Sequence, residues 1–177
     1  MSDMPPAPPP PPAYGYGNQG QPTMGPQPGQ LLDRFLARLI DGIIIGVIYG
    51  IISRIVGAAL NSILLTAVLD AIISTIIYLG YFAFMESTNG RTLGKQIMKL
   101  RVLGPAGGNP TLEQAVRRNI WMGFGIAGII PILGTFVGAV AELVAVIMIA
   151  VGINGDTVNR QAWHDRFAGG TRVIKEG

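Results

Sequence analysis

This sequence predicts an all-α integral membrane fold: about four hydrophobic helices in two helical hairpins, behind a disordered Pro/Gly-rich N-terminal tail. Three observations carry that prediction. Of the 177 residues, 49% are hydrophobic and only 13% charged, and the mean hydropathy is +0.44. The apolar residues lie in blocks of the length a bilayer core requires, without amphipathic spacing. The basic residues flank those blocks with few aromatics interleaved. The formal charge of +3 and the pI near 9.5 therefore point to orientation in a membrane and not to nucleic acid. With no cysteine there is no disulfide, thiol catalysis, cysteine lipidation or Cys-based metal site, and one histidine excludes a histidine cluster.

Residues 1–30 hold ten prolines and five glycines, including the run Pro8 to Pro12. Such a segment buries too little apolar surface to offset its ordering entropy, so it is expected to be disordered with polyproline II character. It has neither the basic start nor the apolar core of a signal peptide. It reads as a solvated tether or as a ligand for a proline-reading protein partner.

The membrane domain is expected over 31–174 and is organised around Leu31 to Gly57, LLDRFLARLIDGIIIGVIYGIISRIVG. Arg34, Arg38 and Asp41 fall within roughly 60° on one helical stripe at its start. The apolar helix itself is predicted at about 39–57, with Arg54 its one later charge. Gly42, Gly46 and Gly50 at four-residue spacing form a second face suited to close packing. A second helix, 63–84, contains Asp70 and ends in Tyr78, Tyr81, Phe82 and Phe84, which read as an interfacial aromatic belt. Arg54 and Asp70 differ in depth by roughly 7 Å in a tight hairpin and are expected to pair.

The loop 85–118 is the most basic stretch, so the positive-inside rule makes it cytoplasmic, and with two helices before it the N-terminus also. Gly90-Arg-Thr-Leu-Gly94-Lys95 resembles a phosphate loop, but the glycines are too close and Gln96 replaces the required Ser or Thr. Arg91, Lys95 and Lys99 at four-residue spacing, with Arg101, instead suit a short basic helix on anionic lipid headgroups. A turn at Gly104 to Pro110 leads to a capping box, Thr111 with Gln114, which starts a helix at Leu112.

From Ile120 to Ile153 the chain is apolar except for Glu142, about 34 residues and too long for one crossing. Gly128-Ile-Ile-Pro131-Ile-Leu-Gly134 breaks it. Basic residues flank both ends, so the block is predicted to go in and return as helices 112–129 and 133–153, with both termini cytoplasmic. The first arm is short of a full uninterrupted span, which leaves a re-entrant segment as the alternative. Glu142 shares a stripe with Gly134 and Gly138 and should face the bundle. In the closing stretch Trp163 is an interfacial anchor. His164 and Asp165 point about 100° apart on a helix and form no catalytic pair; Asp165 beside Arg166 reads by default as a solvated or capping carboxylate.

Four elements in series, Arg34-x-x-Ala37-x-x-x-Asp41, Gly90-Arg-Thr-Leu-Gly94-Lys95 ending in Arg101-Val102, Arg117-Arg118-Asn119, and His164-Asp165-x-x-Ala168-Gly-x-Thr171-x-Val173, resemble the RDD family over about Gln30 to Ile174. These are small bacterial integral membrane proteins named for an arginine and two aspartates. The resemblance implies that those residues are Arg34, Asp41 and Asp165, and it implies a role in transport without a settled substrate.

Buried membrane carboxylates cost at least about 2.5 kcal/mol each and should have partners. Asp41 therefore reads either as a salt-bridge partner of Arg38 or Arg34 that fixes helix register, or as part of a path. Asp70 and Glu142 read either as proton or cation carriers or as structural hydrogen-bonding groups. Two functions follow: a small transporter of protons, cations or another small ligand, a homo-oligomer because four helices enclose little volume, or a non-transporting scaffold recruiting partners through its tail and basic loop. No nucleophile stands beside a base, and no metal set or cofactor motif is present, so neither an enzyme nor a cofactor is expected. The expected location is the bacterial cytoplasmic membrane.

Overall fold

The structure, a computed structural model, describes residues 26–176. Most of the predicted tail, including its proline run, lies outside the described residues. Its last part is not a loose tether: Gln27–Pro28 forms strand β1.

Helix α1 spans Leu31–Ala59 and starts earlier than predicted, because no proline or glycine lies between Leu31 and the predicted start at Leu39. Asp33 in its first turn complements the helix dipole. Ser62 caps α2, Ile63–Asn89, by accepting a hydrogen bond from the Leu65 N–H. The helix ends at Gly90, whose φ of +69° only glycine adopts without strain.

The basic surface helix expected next is not formed. Thr92 caps a single turn, α3, Leu93–Ile97. Lys99 turns back with φ +54°, and the chain enters strand β2, Leu100–Leu103. The alternation decides this: Leu100 and Val102 point into an apolar cluster with Ala37 and Val173, while Arg101 points away. After α4, Leu112–Asn119, which opens on the capping box of Thr111 and Gln114, the chain tightens into a 3-10 helix at Ile120–Ile129. Helix α5 covers Leu133–Gly155, α6 Trp163–Phe167 and strand β3 Arg172–Lys175. The three strands form an antiparallel sheet in the order β1-β3-β2. It is an addition to the helical fold that sequence reading did not anticipate.

Among the described residues three helices, α1, α2 and α5, are long and apolar enough to cross a membrane. The predicted helix 112–129 is divided instead. Gly123, Gly125 and Gly128 weaken α-helical geometry there, and the backbone lies directly on α5. A Cβ at Gly134 would collide with the Ala127 carbonyl oxygen, and one at Gly138 would stand 2.7 Å from that of Phe124. The glycine stripe of α1 has no comparable contact: a Cβ at Gly46 would stand 3.6 Å from the Tyr78 hydroxyl, and one at Gly42 or Gly50 would meet nothing within 4 Å.

α3 lies against α1 through Gly94, where a Cβ would run into the Ala37 carbonyl oxygen. Neither partner is a flexible side chain that can yield. Gly94→Ala is expected to lower stability by about 1–3 kcal/mol, as overpacking does, read as a drop in melting temperature in detergent. An unchanged melting curve would show that α3 does not dock as described.

Candidate functional site

The N-terminal turns of α1, the C-terminal turns of α2 and α5, and all of α3, α4 and α6 meet at one end of the bundle. Charge is concentrated and buried there. Arg118 from α4 sits at its centre, its Nε donating to Asp165 Oδ1 at 2.9 Å and its Nη1 to Glu86 Oε1 at 3.0 Å. Lys95 from α3 donates to the same Glu86 oxygen at 2.8 Å, and the Asn119 amide donates to Glu86 Oε2 at 2.9 Å. Arg38 donates to Asn119 Oδ1 at 2.8 Å, and its guanidinium stacks 4.4 Å from the Phe82 ring centre and 5.1 Å from Trp121.

Arg34 and Asp165 are brought together, with Nη1 to Oδ2 at 3.6 Å. Arg34 Nε also donates to the Gly29 carbonyl at 3.0 Å, which ties β1 to α1. Asp165 is neither solvated nor merely a neighbour of His164. Its Oδ2 caps α6 through the Ala162 N–H at 3.1 Å, and its Oδ1 accepts from the Thr171 hydroxyl at 3.3 Å. Asp41 is buried but has no salt bridge among the described residues, contrary to one of its sequence readings. It accepts three hydrogen bonds: from the Thr92 hydroxyl at 2.5 Å, the Gly94 N–H at 2.7 Å and the Tyr81 hydroxyl at 2.8 Å. The segment that fails as a phosphate loop is thus a clamp on Asp41.

Burial alone would raise the Asp165 pKa, but Arg118, His164 and Arg34 together hold it below the usual carboxylate range. Burial likewise opposes charge on Arg118, and Glu86 and Asp165 outweigh it, raising its pKa. At Lys95 burial wins over Glu86 and lowers the pKa to about 8. His164 is pushed down to about 3 by burial, with the cluster's arginines adding to the effect. It is neutral near pH 7, so its 3.7 Å approach to Asp165 is no ion pair there.

Lys95 is accordingly not a membrane-surface residue: it is 3% exposed and paired. Arg91 and Arg101 are partly exposed and both reach Glu176, at 2.6 and 3.7 Å, and Lys99 occupies the turn before β2. The aromatic belt on α2 is also corrected. Tyr81 and Phe82 serve the charged end, Tyr78 faces Tyr49 at 6.3 Å between ring centres, and only Phe84 of the four is fully outward. Arg54 is exposed and does not pair with Asp70, whose Oδ2 accepts instead from the Ser53 hydroxyl at 3.0 Å. The serine lies on the same helix turn as Arg54 but is short enough to face α2.

Glu142 faces inward. It lines a cavity of about 320 Å³ with Ser74, Thr75 and Tyr78 of α2 and Trp121, Met122 and Gly125 of the 3-10 helix. Asp70 lines a separate cavity with Asn61 and Thr66, so Asp41, Asp70 and Glu142 do not share one chamber. Among the described residues no group of three His, Cys, Asp or Glu side chains is placed to hold a metal ion. Sequence reasoning assigned Glu86 no role, gave Lys95 a different one at the membrane surface, and met Thr92 and Asn119 only as members of the family motifs. The signal for Glu86 was present: a carboxylate in the last turns of an apolar helix, ahead of a run of basic residues.

Fold and cluster together define a helical membrane protein with several spanning helices and a buried network of salt-bridged charged residues at one end. The chain belongs to the RDD family, whose model matches residues 28–169. It has no match among curated proteins or solved structures.

The chain's one histidine makes the electrostatics directly measurable. A base whose folded pKa lies below its unfolded value destabilises the fold as pH falls below the unfolded value. His164, at about 3 against 6.5, is expected to cost about 2 kcal/mol on going from pH 6.5 to 5. Its imidazole NMR signals should stay those of the neutral ring across that window, and His164→Gln should flatten the stability loss. A ring titrating near 6.5 would contradict the buried placement.

Proposed function

We propose that the protein is a small multi-pass transporter of the bacterial cytoplasmic membrane, moving protons, cations or another small ligand through the Glu142 cavity. In this reading Arg34, Asp41 and Asp165 belong to the lock that shapes its cytoplasmic end. The observation that carries it is the Glu142 carboxylate in a cavity lined by two hydroxyls and a phenol within an otherwise apolar stretch. An intramembrane ionisable group facing a cavity is expensive unless it is used. Asp70, one helical turn from Ser74 on α2, extends the polar stripe toward the opposite end.

The basic residues at the charged end support a cytoplasmic location for it and for both termini by the positive-inside rule; in that orientation the 3-10 helix and α5 would form a hairpin reaching the far side at Pro131. A homo-oligomer would enlarge the enclosed path. A second reading, a membrane scaffold without transport, is favoured by one observation: Asp41 is held by three donors, which suits a structural pin better than a carrier. Neither reading requires enzymatic chemistry.

Two measurements test this. In liposomes with an internal pH dye and imposed sodium, potassium or lithium gradients, wild type should give a cation-dependent pH change. Glu142→Gln should reduce it to the background of empty liposomes while inserting normally. Equal flux from both would remove Glu142 from the path, and silence from well-folded wild type would leave the scaffold. Separately, Ile132→Cys is expected to label with an impermeant thiol reagent from outside the cell; protection would make the hairpin re-entrant.

A further inference from the structure

The cluster is not closed on itself. A second cavity, about 120 Å³, opens between α1 and α5 beside it, lined by Arg34, Arg38, Lys95, Arg118, Trp121 and His164 on its polar side. That is roughly ten times the space one water needs. Three of the lining residues carry a buried nitrogen without a hydrogen-bond partner among the described residues: Arg34 Nη1, Trp121 Nε1 and His164 Nδ1. Arg34, Trp121 and His164 are each more than nine-tenths buried. Two of these groups are obligate donors, the Trp121 indole N–H and Arg34 Nη1, whose nearest carboxylate oxygen, Asp165 Oδ2, stands 3.6 Å away beyond hydrogen-bond reach, so an acceptor beside them would be well placed.

The charge balance has the same sign. Four cations, Arg34, Arg38, Lys95 and Arg118, line the cavity, whereas the carboxylates in contact with the cluster number three: Asp41, Glu86 and Asp165. Asp41 is occupied by uncharged donors on the side of α3, which leaves the cavity wall short of negative charge. A cation is therefore excluded as occupant, and an anion with several acceptor oxygens matches both the donors and the excess charge. The opposite wall is apolar, built from Leu31 and Phe35 of α1 and Val146, Ile149 and Ile153 of α5. Phe35 and Val146 are exposed on helices long enough to cross the bilayer. An occupant with a phosphate at one end and hydrocarbon at the other satisfies both walls.

We propose that this cavity binds a phosphate group, supplied by the headgroup of an anionic membrane phospholipid whose acyl chain lies along the α1 and α5 faces. The site is distinct from the Glu142 cavity and does not depend on transport there.

Trp121 is one of only two tryptophans, so in a Trp163→Phe background it is the sole indole reporter; because it also borders the Glu142 cavity, the variant at Ala150, which lines only this cavity, assigns the signal. The full chain in neutral detergent would be titrated with phosphatidylglycerol, with diacylglycerol and with inorganic phosphate. Phosphatidylglycerol is expected to change Trp121 emission saturably and diacylglycerol to have no effect. Ala150→Glu, which sets a competing carboxylate on the α5 side of the cavity, should weaken the lipid response at least about tenfold. Arg38→Gln should weaken it as well, with elution profile and circular dichroism unchanged in both variants. Saturation by inorganic phosphate without a lipid response would overturn the lipid source in favour of a soluble anion. No response to either, or equal responses to phosphatidylglycerol and diacylglycerol, would overturn the site.

Discussion

The charged end depends on Arg118 standing between Glu86 and Asp165. One guanidinium joins α2, α4 and α6, elements separated by 32 and 47 positions in the chain. Buried ion pairs add little net stability, because desolvation consumes most of the Coulomb gain, yet removing one partner leaves an uncompensated charge that costs several kcal/mol. Their effect here is on arrangement. Every wrong docking of α4 or α6 strands a charge in an apolar setting, so this pairing selects one assembly of the three helices.

Polar groups are used in two different ways along the same helices. At the charged end the carboxylates are saturated: Asp41 has three hydrogen-bond donors, Glu86 three partners and Asp165 four. Deeper along α2 and α5, Glu142, Ser74, Thr75 and Tyr78 surround open space. Saturation fixes geometry, whereas an open cavity leaves a carboxylate able to exchange partners. Arg34, Asp41 and Asp165 therefore fall on the structural side of that division, and Glu142 borders open space.

The apolar spans were legible because composition dictates them: α1, α2 and α5 follow from uninterrupted hydrophobic runs. Legible too were the capping box at Thr111 and the inward stripe of Gly134, Gly138 and Glu142, both set by local spacing. What escaped was non-local. Lys95 looks like one of a series with Arg91 and Lys99 until Glu86 is seen nine residues earlier on a helix that folds back beside it. The sheet escaped because its strands are two to four residues long and pair with partners 69 to 148 positions away. The Arg54 and Asp70 pairing failed because depth along two helices was matched without their rotation, and rotation places Ser53 toward α2 instead.

Rotation also explains why Arg34 and Asp41 act together although they do not touch. They stand seven residues apart on α1, about two turns or 10.5 Å, so they share one face. Each receives a segment from far along the chain: Asp41 takes Thr92 and Gly94, and Arg34 takes Asp165. A one-residue slip of α1 would turn that face by about 100° and release both segments at once. The helix start is thereby locked in rotation and depth before any of its apolar length meets lipid, a surface too uniform to set either.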